Sequence, residues 1–473
     1  MSTPNQFTVP NATEYGGDEV SAIVLDPGYS TTRAGFAGED VPKSVVPTYY
    51  GVLNKSENEV ELLFGENSLH NPVPSLEIRN PLLSDCSEDW VEDWETASKL
   101  WEYSITSRLA GRRSTDPKNN GLNDPNDDAM DVDVDAMDDA EKALEDNPLL
   151  MTEPSRTSSK TRERAIETAI EGWGVPAFWL GRSGVLAAFS AGKSNALVVD
   201  VGASTTTVTP VIDGMLLKKG VRVSPLAGNF VSQQIRLMFA SSQTPVSLTP
   251  HYMVLSKAPV EVGQPSQAVY RKFAKPPTES FRRWEEERVL TEFKESVVQL
   301  WGESGRLSNG VPLSLSEDFF KDKSKRIFEM PDGWNQDFTL DSVRPAEGLF
   351  DEKAALVDSD HPRPQPEHTI PNLIKSALGS CDTEVRPLLM NNVVVVGAGS
   401  LTQYFVKRLE QELVAMYAGP RVRIYASGNT VERKYASWIG GSILGSLGTF
   451  HQMWISKKEY EEHGANIVEK RCK

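Results

Sequence analysis

Two stretches of this chain, about 170 residues apart, share one pattern: an apolar run, then Asp-x-Gly, then small hydroxylic residues. One copy contains Asp200 and Gly202, and the other contains Asp26 and Gly28. Each copy is followed by a second β-rich run, so each predicts a strand, a tight turn and a strand.

The residue types in these hairpins suit a polyphosphate. Small residues after the aspartate let backbone N–H groups converge on an anion. A carboxylate at the strand end can hold the water shell of a divalent cation. Two such hairpins predict an internally duplicated molecule that grips one polyphosphate between its halves.

Length and composition bound the remaining possibilities. A chain of 473 residues is long enough for two or more domains. No apolar stretch approaches the length of a membrane span, and the N-terminus lacks a signal-peptide pattern, so we expect a soluble intracellular protein without a membrane partner. Cys86, Cys381 and Cys472 have no metal-ligand spacing, and we interpret them as inert thiols in a reducing compartment.

The formal net charge of −17 argues against a generally basic nucleic-acid binder. Residues 114–146 hold twelve acidic residues against Lys118 and Lys142, so −12 and +2 place −10 in this segment. Such a segment cannot bury enough apolar surface to order itself, and we predict a disordered acidic insert. Attraction of basic partners such as histones is the functional alternative. Residues 1–19 are predicted to be a flexible leader.

Two further strings imitate nucleotide motifs. Ala191-Gly192-Lys193-Ser194 resembles the end of a P-loop, but the first glycine of that motif would fall on Ala187. Gly397-x-Gly399 follows an apolar run, but the third glycine of a dinucleotide fingerprint would fall on Thr402. Neither motif is complete. The second string can still place a helix N-terminus against an anion or an adenosine.

Helices are predicted in five stretches, the first from apolar positions near helical spacing and the second from a charged, periodic pattern that stops at glycine. They lie within residues 88–109, 158–172, 183–191, 289–300 and 403–416.

The C-terminal stretch ERKYASWIGGSILGSLGTFHQMWISKKEY, residues 432–460, is very similar to the end of actin. The similarity continues in actin's order through AGFAGEDVP in the first hairpin, NPLLMTEP from Asn147, MPDG from Met330, RPAEGLF from Arg344 and CDTEVRPLL from Cys381. It covers nearly the whole chain except the leader, the acidic insert and much of residues 241–286. With its extra length and acidic loop, the chain looks most like the nuclear actin-related protein four class.

The resemblance implies an α/β chain with the actin-like fold that sugar kinases and chaperone ATPases share. Two duplicated lobes, each with a smaller subdomain, would enclose a cleft for ATP with Mg or Ca. The implied divisions are a first lobe at 20–190 with a minor subdomain at 51–77, a second lobe at 191–424 with a minor subdomain at about 226–343, and a segment at 425–473 that returns to the first lobe.

The resemblance also implies the site residues. Asp26 and Asp200 would hold the metal through water, and Arg33 stands where actin has a phosphate-binding lysine. Because a guanidinium needs more room than an ammonium, the phosphate geometry is expected to differ. The other cofactor contacts would be Gly28, Tyr29, Ser30, Thr31, Gly202, Ser204, Thr205, Gly214, Lys294, Glu295, Gly397, Ala398, Gly399, Ser400 and Lys434.

Positions that serve hydrolysis in actin differ here. Its water-orienting glutamine falls on Ser183, its second hairpin carboxylate on Ala203 and a nearby histidine on Thr207. Because hydrolysis needs an oriented attacking water, we expect bound ATP without turnover and a non-catalytic scaffold. The alternatives are a slow actin-like ATPase switch and a filament subunit. Polymerisation is disfavoured because the stretch 52–65 lacks the loop by which actin grips its neighbour.

The implied partners are those of the class. It occurs in the nucleus, in chromatin remodellers and nucleosomal histone acetyltransferases, where a helicase-SANT-associated helix binds it beside nuclear actin; histones or nucleosomes are further candidates. The groove for that helix would be formed by Phe189, Gly192, Ile443, Leu444, Leu447, Thr449 and Met453. The alternative is that these residues are ordinary core, and for Leu447 alone that alternative is the stronger one.

Overall fold

The structure is a computed structural model, and it describes residues 22–56, 59–109, 144–242, 245–302, 305–309, 325–417, 419 and 421–473. Two six-stranded sheets, each with helices around it, form two lobes. The mixed α/β architecture confirms the predicted fold class. Along the described residues, no helix combines the length and apolar character needed to cross a membrane.

The first lobe is built on the buried strand β1, which pairs antiparallel with β2 and parallel with β7. Its strand order is β19-β8-β7-β1-β2-β3, in which β19 (Ile455–Ser456) comes from the end of the chain, and β5-β4-β6 form a small separate sheet. In chain order its elements are β1 (Ile23–Pro27), β2 (Thr31–Phe36), β3 (Ser44–Pro47), β4 (Tyr50–Ser56), β5 (Glu59–Leu63), α1 (Glu66–Leu69), β6 (Leu76–Arg79), α2 (Trp94–Leu109), β7 (Leu149–Glu153), α3 (Ser159–Glu167), a π-helical turn (Thr168–Gly172), β8 (Ala177–Arg182) and α4 (Ser183–Ser190).

The second lobe repeats this plan with strand order β11-β10-β9-β17-β18 and with β12 on the other side of β10. Two small two-stranded sheets, β13-β14 and β15-β16, accompany it. Its elements are β9 (Ala196–Val201), β10 (Thr206–Ile212), β11 (Met215–Leu216), β12 (Arg222–Ser224), α5 (Gly228–Ser241), β13 (Val254–Ser256), β14 (Val269–Tyr270), α6 (Glu279–Ser296), β15 (Arg326–Glu329), β16 (Asn335–Phe338), α7 (Arg344–Glu347), α8 (Ile370–Gly379), α9 (Arg386–Met390), β17 (Val393–Val396), α10 (Phe405–Met416) and β18 (Ile424–Tyr425).

The final segment crosses back to the first lobe. It contains α11 (Thr430–Lys434), α12 (Ala436–Gly445), β19 (Ile455–Ser456), α13 (Lys457–His463) and α14 (Ile467–Arg471). The predicted division before residue 425 falls inside β18, where Tyr425 still pairs with Val394 in the second sheet. The return is made by α12, because Trp438 lies fully buried and donates its indole N–H to the Val24 carbonyl at 3.0 Å.

The two sheets have the same internal pairing. In each, an antiparallel hairpin (β1-β2 or β9-β10) is followed by a parallel strand (β7 or β17), and a second parallel strand lies beyond (β8 or β18). The carboxyl ends of β1 and β9 therefore carry Asp26 and Asp200 to equivalent places. The duplication predicted from the two Asp-x-Gly hairpins is present in the sheet topology.

The acidic insert and the leader fall mostly outside the described residues. Of the stretch predicted to be disordered, residues 144–146 are described, and Leu144 is buried in the first lobe's core. Because this apolar side chain packs, the predicted insert extends too far at its end. The leader and residues 20 and 21 precede the first described residue.

Candidate functional site

The two hairpin loops close in the same way. The Gly28 N–H donates to the Thr31 carbonyl at 3.1 Å, and the Gly202 N–H donates to the Thr205 carbonyl at 3.0 Å. A Cβ added to Gly28 would lie 2.8 Å from that carbonyl oxygen, and one added to Gly202 would lie 3.1 Å away. The first turn therefore needs glycine because the closing carbonyl occupies the space of a side chain, and the second turn leaves a side chain only a tight fit.

The carboxylate of the first hairpin is held on both sides. Asp26 is buried; its Oδ2 accepts from Arg33 Nη1 at 2.6 Å and its Oδ1 from Thr152 Oγ1 at 2.5 Å. Arg33 also donates to Thr31 Oγ1 at 3.1 Å and stacks over the ring of Tyr435 at 5.1 Å. The residue in the position of actin's lysine thus neutralises its own hairpin.

The carboxylate of the second hairpin has no such partners. Asp200 receives no hydrogen bond or ion pair from any residue that the structure describes. Burial on the floor of the cleft and the charge of Asp26 raise its pKa from 3.8 to about 6, against the opposing charge of Arg33. A cation beside Asp200 would favour its ionised form.

The turn after β17 packs directly against this carboxylate. Gly397 has φ +87°, and a Cβ there would lie 2.5 Å from Asp200 Oδ1. Ser400 is buried behind the turn, where it donates to the Gly397 carbonyl at 2.7 Å and accepts from Arg433 Nη1 at 3.1 Å. Ser400 therefore supports the turn and does not line the cleft.

Side chains from α6 and α11 meet on the side where the resemblance implies the adenosine. Lys294 Nζ donates to Ser232 Oγ at 2.7 Å and to Glu287 Oε1 at 3.0 Å. Lys434 Nζ lies 3.4 Å from Glu295 Oε1. Glu295 and Lys434 therefore bridge the second lobe to the returning segment, whereas the contacts of Lys294 lie within the second lobe.

A single cleft of about 1040 Å³ lies between the two hairpins. Apart from Gly214 and Ser400, every residue named above for the cofactor or the metal lines it, as do Ser183, Ala203 and Thr207. Gly214 lies outside, in the β10–β11 turn, where its N–H donates to the Ser194 carbonyl at 2.7 Å with φ +74°. Open space surrounds Gly214, so no close contact requires a glycine there. Its positive φ favours glycine, and the residue therefore serves the turn.

Several cleft residues were missed by the sequence reasoning. Thr152 contacts Asp26 across 126 positions of sequence, and Tyr49, Trp284 and Arg288 line the wall between the lobes. Thr152 carries a signal that could have found it, since it follows the buried run of β7 and parallel strands end at one sheet edge. The other three carry none, because their segments meet only in the folded chain.

The predicted partner groove lies where α4 packs against α12. A Cβ added to Gly440 would lie 1.9 Å from the Leu186 carbonyl oxygen, so the two helices touch through their backbones. Leu444 is half-buried against the first lobe's core. The remaining groove residues are exposed on the surface: Phe189, Gly192, Ile443, Leu447, Thr449 and Met453. Leu447 is 40% exposed, which weakens its interpretation as core.

Comparison with known proteins agrees with this geometry. The family model described as Actin matches residues 17–473. The chain belongs to the actin family. It is 55% identical to "Actin-related protein 4" of Emericella nidulans, over 99% of this chain and 100% of that protein. It is 50% identical to "Actin-related protein 4" of Gibberella zeae, over 97% of each chain. The resemblance to the actin-related protein four class is therefore confirmed.

A more distant relative has a name that states the complexes to which that relative belongs. The chain is 31% identical to "SWI/SNF and RSC complexes subunit arp42" of Schizosaccharomyces pombe, over 96% of this chain and 100% of that protein. Because the alignment covers nearly all of both chains, the similarity extends over the whole actin-family architecture.

Proposed function

We propose that this actin-family protein binds ATP with a divalent cation in the cleft, does not turn it over, and acts as a scaffold subunit of nuclear chromatin-remodelling and nucleosomal histone acetyltransferase complexes. The observation that carries the nucleotide proposal is the pair of equivalent hairpin loops on either side of one cleft. The name of the fission-yeast relative supports the assignment to remodelling complexes.

The donor set fits the proposed ligands. Backbone N–H groups of the two turns and the Arg33 guanidinium suit phosphate oxygens. Asp26 and Asp200 suit a hard cation held through water. Among the described residues no cluster of three or more His, Cys, Asp or Glu forms a metal site. The cation would therefore take its remaining ligands from phosphate and water, and when bound it would neutralise phosphate charge.

The proposed lack of turnover rests on the groups that face the phosphate side of the cleft. Ser183, Ala203 and Thr207 line it where actin has its glutamine, second carboxylate and histidine. None of the three is a titratable base near neutral pH, so none could accept a proton from an attacking water. The three positions therefore supply no base to the water, and the chain's other cleft residues would bind and orient the nucleotide.

The test uses the purified full chain. Nucleotide released by heat denaturation is quantified by chromatography, and phosphate release is followed for hours with magnesium present. We expect bound ATP and no sustained release of phosphate. Repeated turnover at the rate of filamentous actin would replace the scaffold proposal with the switch alternative.

We further propose that the exposed groove receives the helicase-SANT-associated helix, with nuclear actin on the same helix. Exposed apolar residues in one place mark an interface. Ile443→Glu with Met453→Glu is the matched test, because both side chains are exposed. Val414→Glu is the control, since Val414 is 57% exposed on α10 of the other lobe. Binding of the helicase-SANT-associated helix should be lost only in the groove variant, and both variants should retain bound ATP.

A further inference from the structure

A second cavity lies apart from the cleft, where the two lobes and the returning segment meet. It has a volume of about 530 Å³ and shares no lining residue with the cleft. This volume falls within the range of small-molecule sites in proteins, about 300–1,000 Å³. Its charged lining residues come from every part of the junction: Arg162, Arg182, Lys218, Lys219, Asp382, Glu469 and Lys473.

Arg182 brings an incompletely paired cation to this cavity. The residue is 6% exposed, and its Nε lies 3.0 Å from Glu153 Oε1. Its Nη1 donates to the Pro154 carbonyl at 3.4 Å, and its Nη2 has no hydrogen-bond partner among the described residues. Burial lowers the pKa of this guanidinium, against the opposing charge of Glu153. A buried donor without an acceptor is unfavourable, so an acceptor that entered the cavity would stabilise Arg182.

Arg162, which shares Glu153 with Arg182, is fully paired. Its Nε lies 3.0 Å from Glu153 Oε1, and its Nη1 lies 2.7 Å from Glu469 Oε1. Its Nη2 donates to the Cys472 carbonyl. Arg162 therefore forms part of the wall and has no nitrogen left for a ligand, whereas Arg182 has one.

Lys218 and Lys219 supply two further cations from the second lobe. They lie in the 3₁₀ turn Lys218–Gly220 that follows β11, and both are exposed. Neither has an ion-pair partner among the described residues. Of the side-chain carboxylates that line the cavity, Glu469 is paired with Arg162, which leaves Asp382 alone against three available cations. The cavity therefore favours an anion.

The rest of the wall is apolar. It contains Met215 and Leu216 of β11, and Leu217 beyond them. Pairing of Met215 with Ile212 in β10 holds this segment in place. The Met215 side chain is 61% exposed. An occupant with an anionic group and an apolar body would contact both kinds of wall.

We propose that this cavity binds a small molecule that carries a phosphate group on an apolar body. The phosphate would lie at Arg182, Lys218 and Lys219, and the body would lie against Met215 and Leu216. Donors from three separate side chains suit a tetrahedral phosphate, which presents three acceptor oxygens, better than a planar carboxylate, which presents two. The proposal does not depend on ATP binding, because the cavity and the cleft have no residue in common.

The test uses the full chain labelled with ¹³C at its methionine methyl groups, with ATP and magnesium added so that the cleft is not free for the probe. The Met215 methyl signal, assigned with Met215→Leu, reports on the cavity. Phenyl phosphate is the probe and should shift this signal saturably. Inorganic phosphate, which lacks the apolar body, and benzoate, which has a planar carboxylate, should each bind at least about tenfold more weakly. Phenol should leave the signal unchanged.

A pair of lysine variants tests the anion contacts. Lys218→Gln with Lys219→Gln should weaken binding of phenyl phosphate at least about tenfold, because two charge-assisted contacts are removed. Lys353→Gln with Lys375→Gln is the matched control. These two lysines are also exposed on the second lobe and lie outside the cavity, so the control changes the net charge equally and should bind as wild type does.

A third variant tests the buried donor. Arg182→Lys keeps a cation beside Glu153 but removes the open Nη2, and it should weaken binding about fivefold or more. Absence of a saturable Met215 shift in wild type would overturn the proposal. So would equal binding of benzoate and phenyl phosphate, or equal weakening in the two lysine variants. Each of these results would leave the proposed binding of ATP intact, since nucleotide in the cleft is quantified separately.

Discussion

The two hairpins have the same backbone hydrogen bonds, but their aspartate carboxylates have different partners. Strand register places Arg33 opposite Asp26 in the first lobe and Thr207 opposite Asp200 in the second. In the first lobe the neighbouring parallel strand β7 brings Thr152 to Asp26. In the second lobe the corresponding strand β17 brings Val396 to Asp200. The first carboxylate is thus neutralised and hydrogen-bonded within its own lobe, and the second faces the cleft without partners from the described chain.

This difference indicates how a duplicated fold can serve one asymmetric ligand. A cation added to the cleft gains more beside Asp200, because Asp26 already shares its charge with Arg33 at 2.6 Å. The backbone supplies two equivalent turns, and the residues opposite the aspartates, Arg33 and Thr207, make them chemically different. Under the proposed function, the first turn would suit phosphate and the second would suit the metal.

The interiors of the lobes show the same kind of difference. In the first lobe Glu153 lies 3.0 Å from both Arg162 Nε and Arg182 Nε, and all three are buried. In the second lobe Glu347 accepts from the Trp301 N–H at 2.6 Å and lies 3.5 Å from Arg408. One buried glutamate therefore balances two cations, and the other balances one distant cation.

The largest effect is expected from Glu153→Gln. This substitution would leave Arg182 without an ion-pair partner among the described residues. Arg162 would lose one of its two ion-pair partners and keep the other, Glu469, at 2.7 Å. An uncompensated buried charge costs about 3–5 kcal/mol in the free energy of unfolding. Urea denaturation followed by tryptophan fluorescence measures it, with Glu347→Gln as the matched variant. Equal losses in the two variants would contradict the difference between the lobes.

The second prediction concerns the two aspartates. Asp200→Asn should weaken magnesium-dependent ATP binding by about ten- to hundredfold, which is about 1.4–2.7 kcal/mol, whereas Asp26→Asn should weaken it less because Arg33 is then freed. Calorimetric titration with magnesium and with a chelator separates the metal contribution. A larger effect at Asp26 would reverse our assignment of the metal side.

The third prediction is a pH dependence. Burial raises the pKa of Glu347 from 4.5 to about 7, against the opposing charge of Arg408. Because the folded state holds this proton more tightly, its contribution to stability is complete below pH 4.5 and is lost as the pH rises through 7. Relative to Glu347→Gln, wild type should therefore lose on the order of 2 kcal/mol between these limits. A constant difference between the two proteins across that range would contradict it.

The smallest effect is expected from Arg33→Lys, which restores the residue that the family resemblance implies. Lysine can keep the ion pair with Asp26 but has no second donor in a fixed plane for Thr31 and stacks less well over Tyr435. We expect ATP affinity to change by less than about tenfold, or 1.4 kcal/mol. Arg33→Ala, which removes the charge, should weaken binding more than Arg33→Lys in the same titration.

Helix α6 illustrates the limit of periodicity. The helix predicted over residues 289–300 is in fact α6, which spans Glu279–Ser296. Its first half is highly charged: Thr278 caps the N-terminus, and Arg282 pairs with Glu286 at 2.9 Å within the helix. Capping and pairs four residues apart extend a helix without any apolar repeat. Its buried Phe281 packs against Leu69, Leu76 and Ile78 of the opposite lobe, as well as on Tyr252 of its own lobe at 5.2 Å.

Local pattern was sufficient for the hairpins, most helices and the family, because a turn that needs glycine and an aspartate at a strand end depend only on neighbours in the chain. The register that sets Arg33 against Asp26 follows from the same short hairpin. The partners of Glu153, the position of Thr152 and the cluster of Phe281 with Leu69, Leu76 and Ile78 required the folded chain. Some of these contacts join segments more than 200 residues apart. Their energies depend on burial and distance, which no local pattern contains.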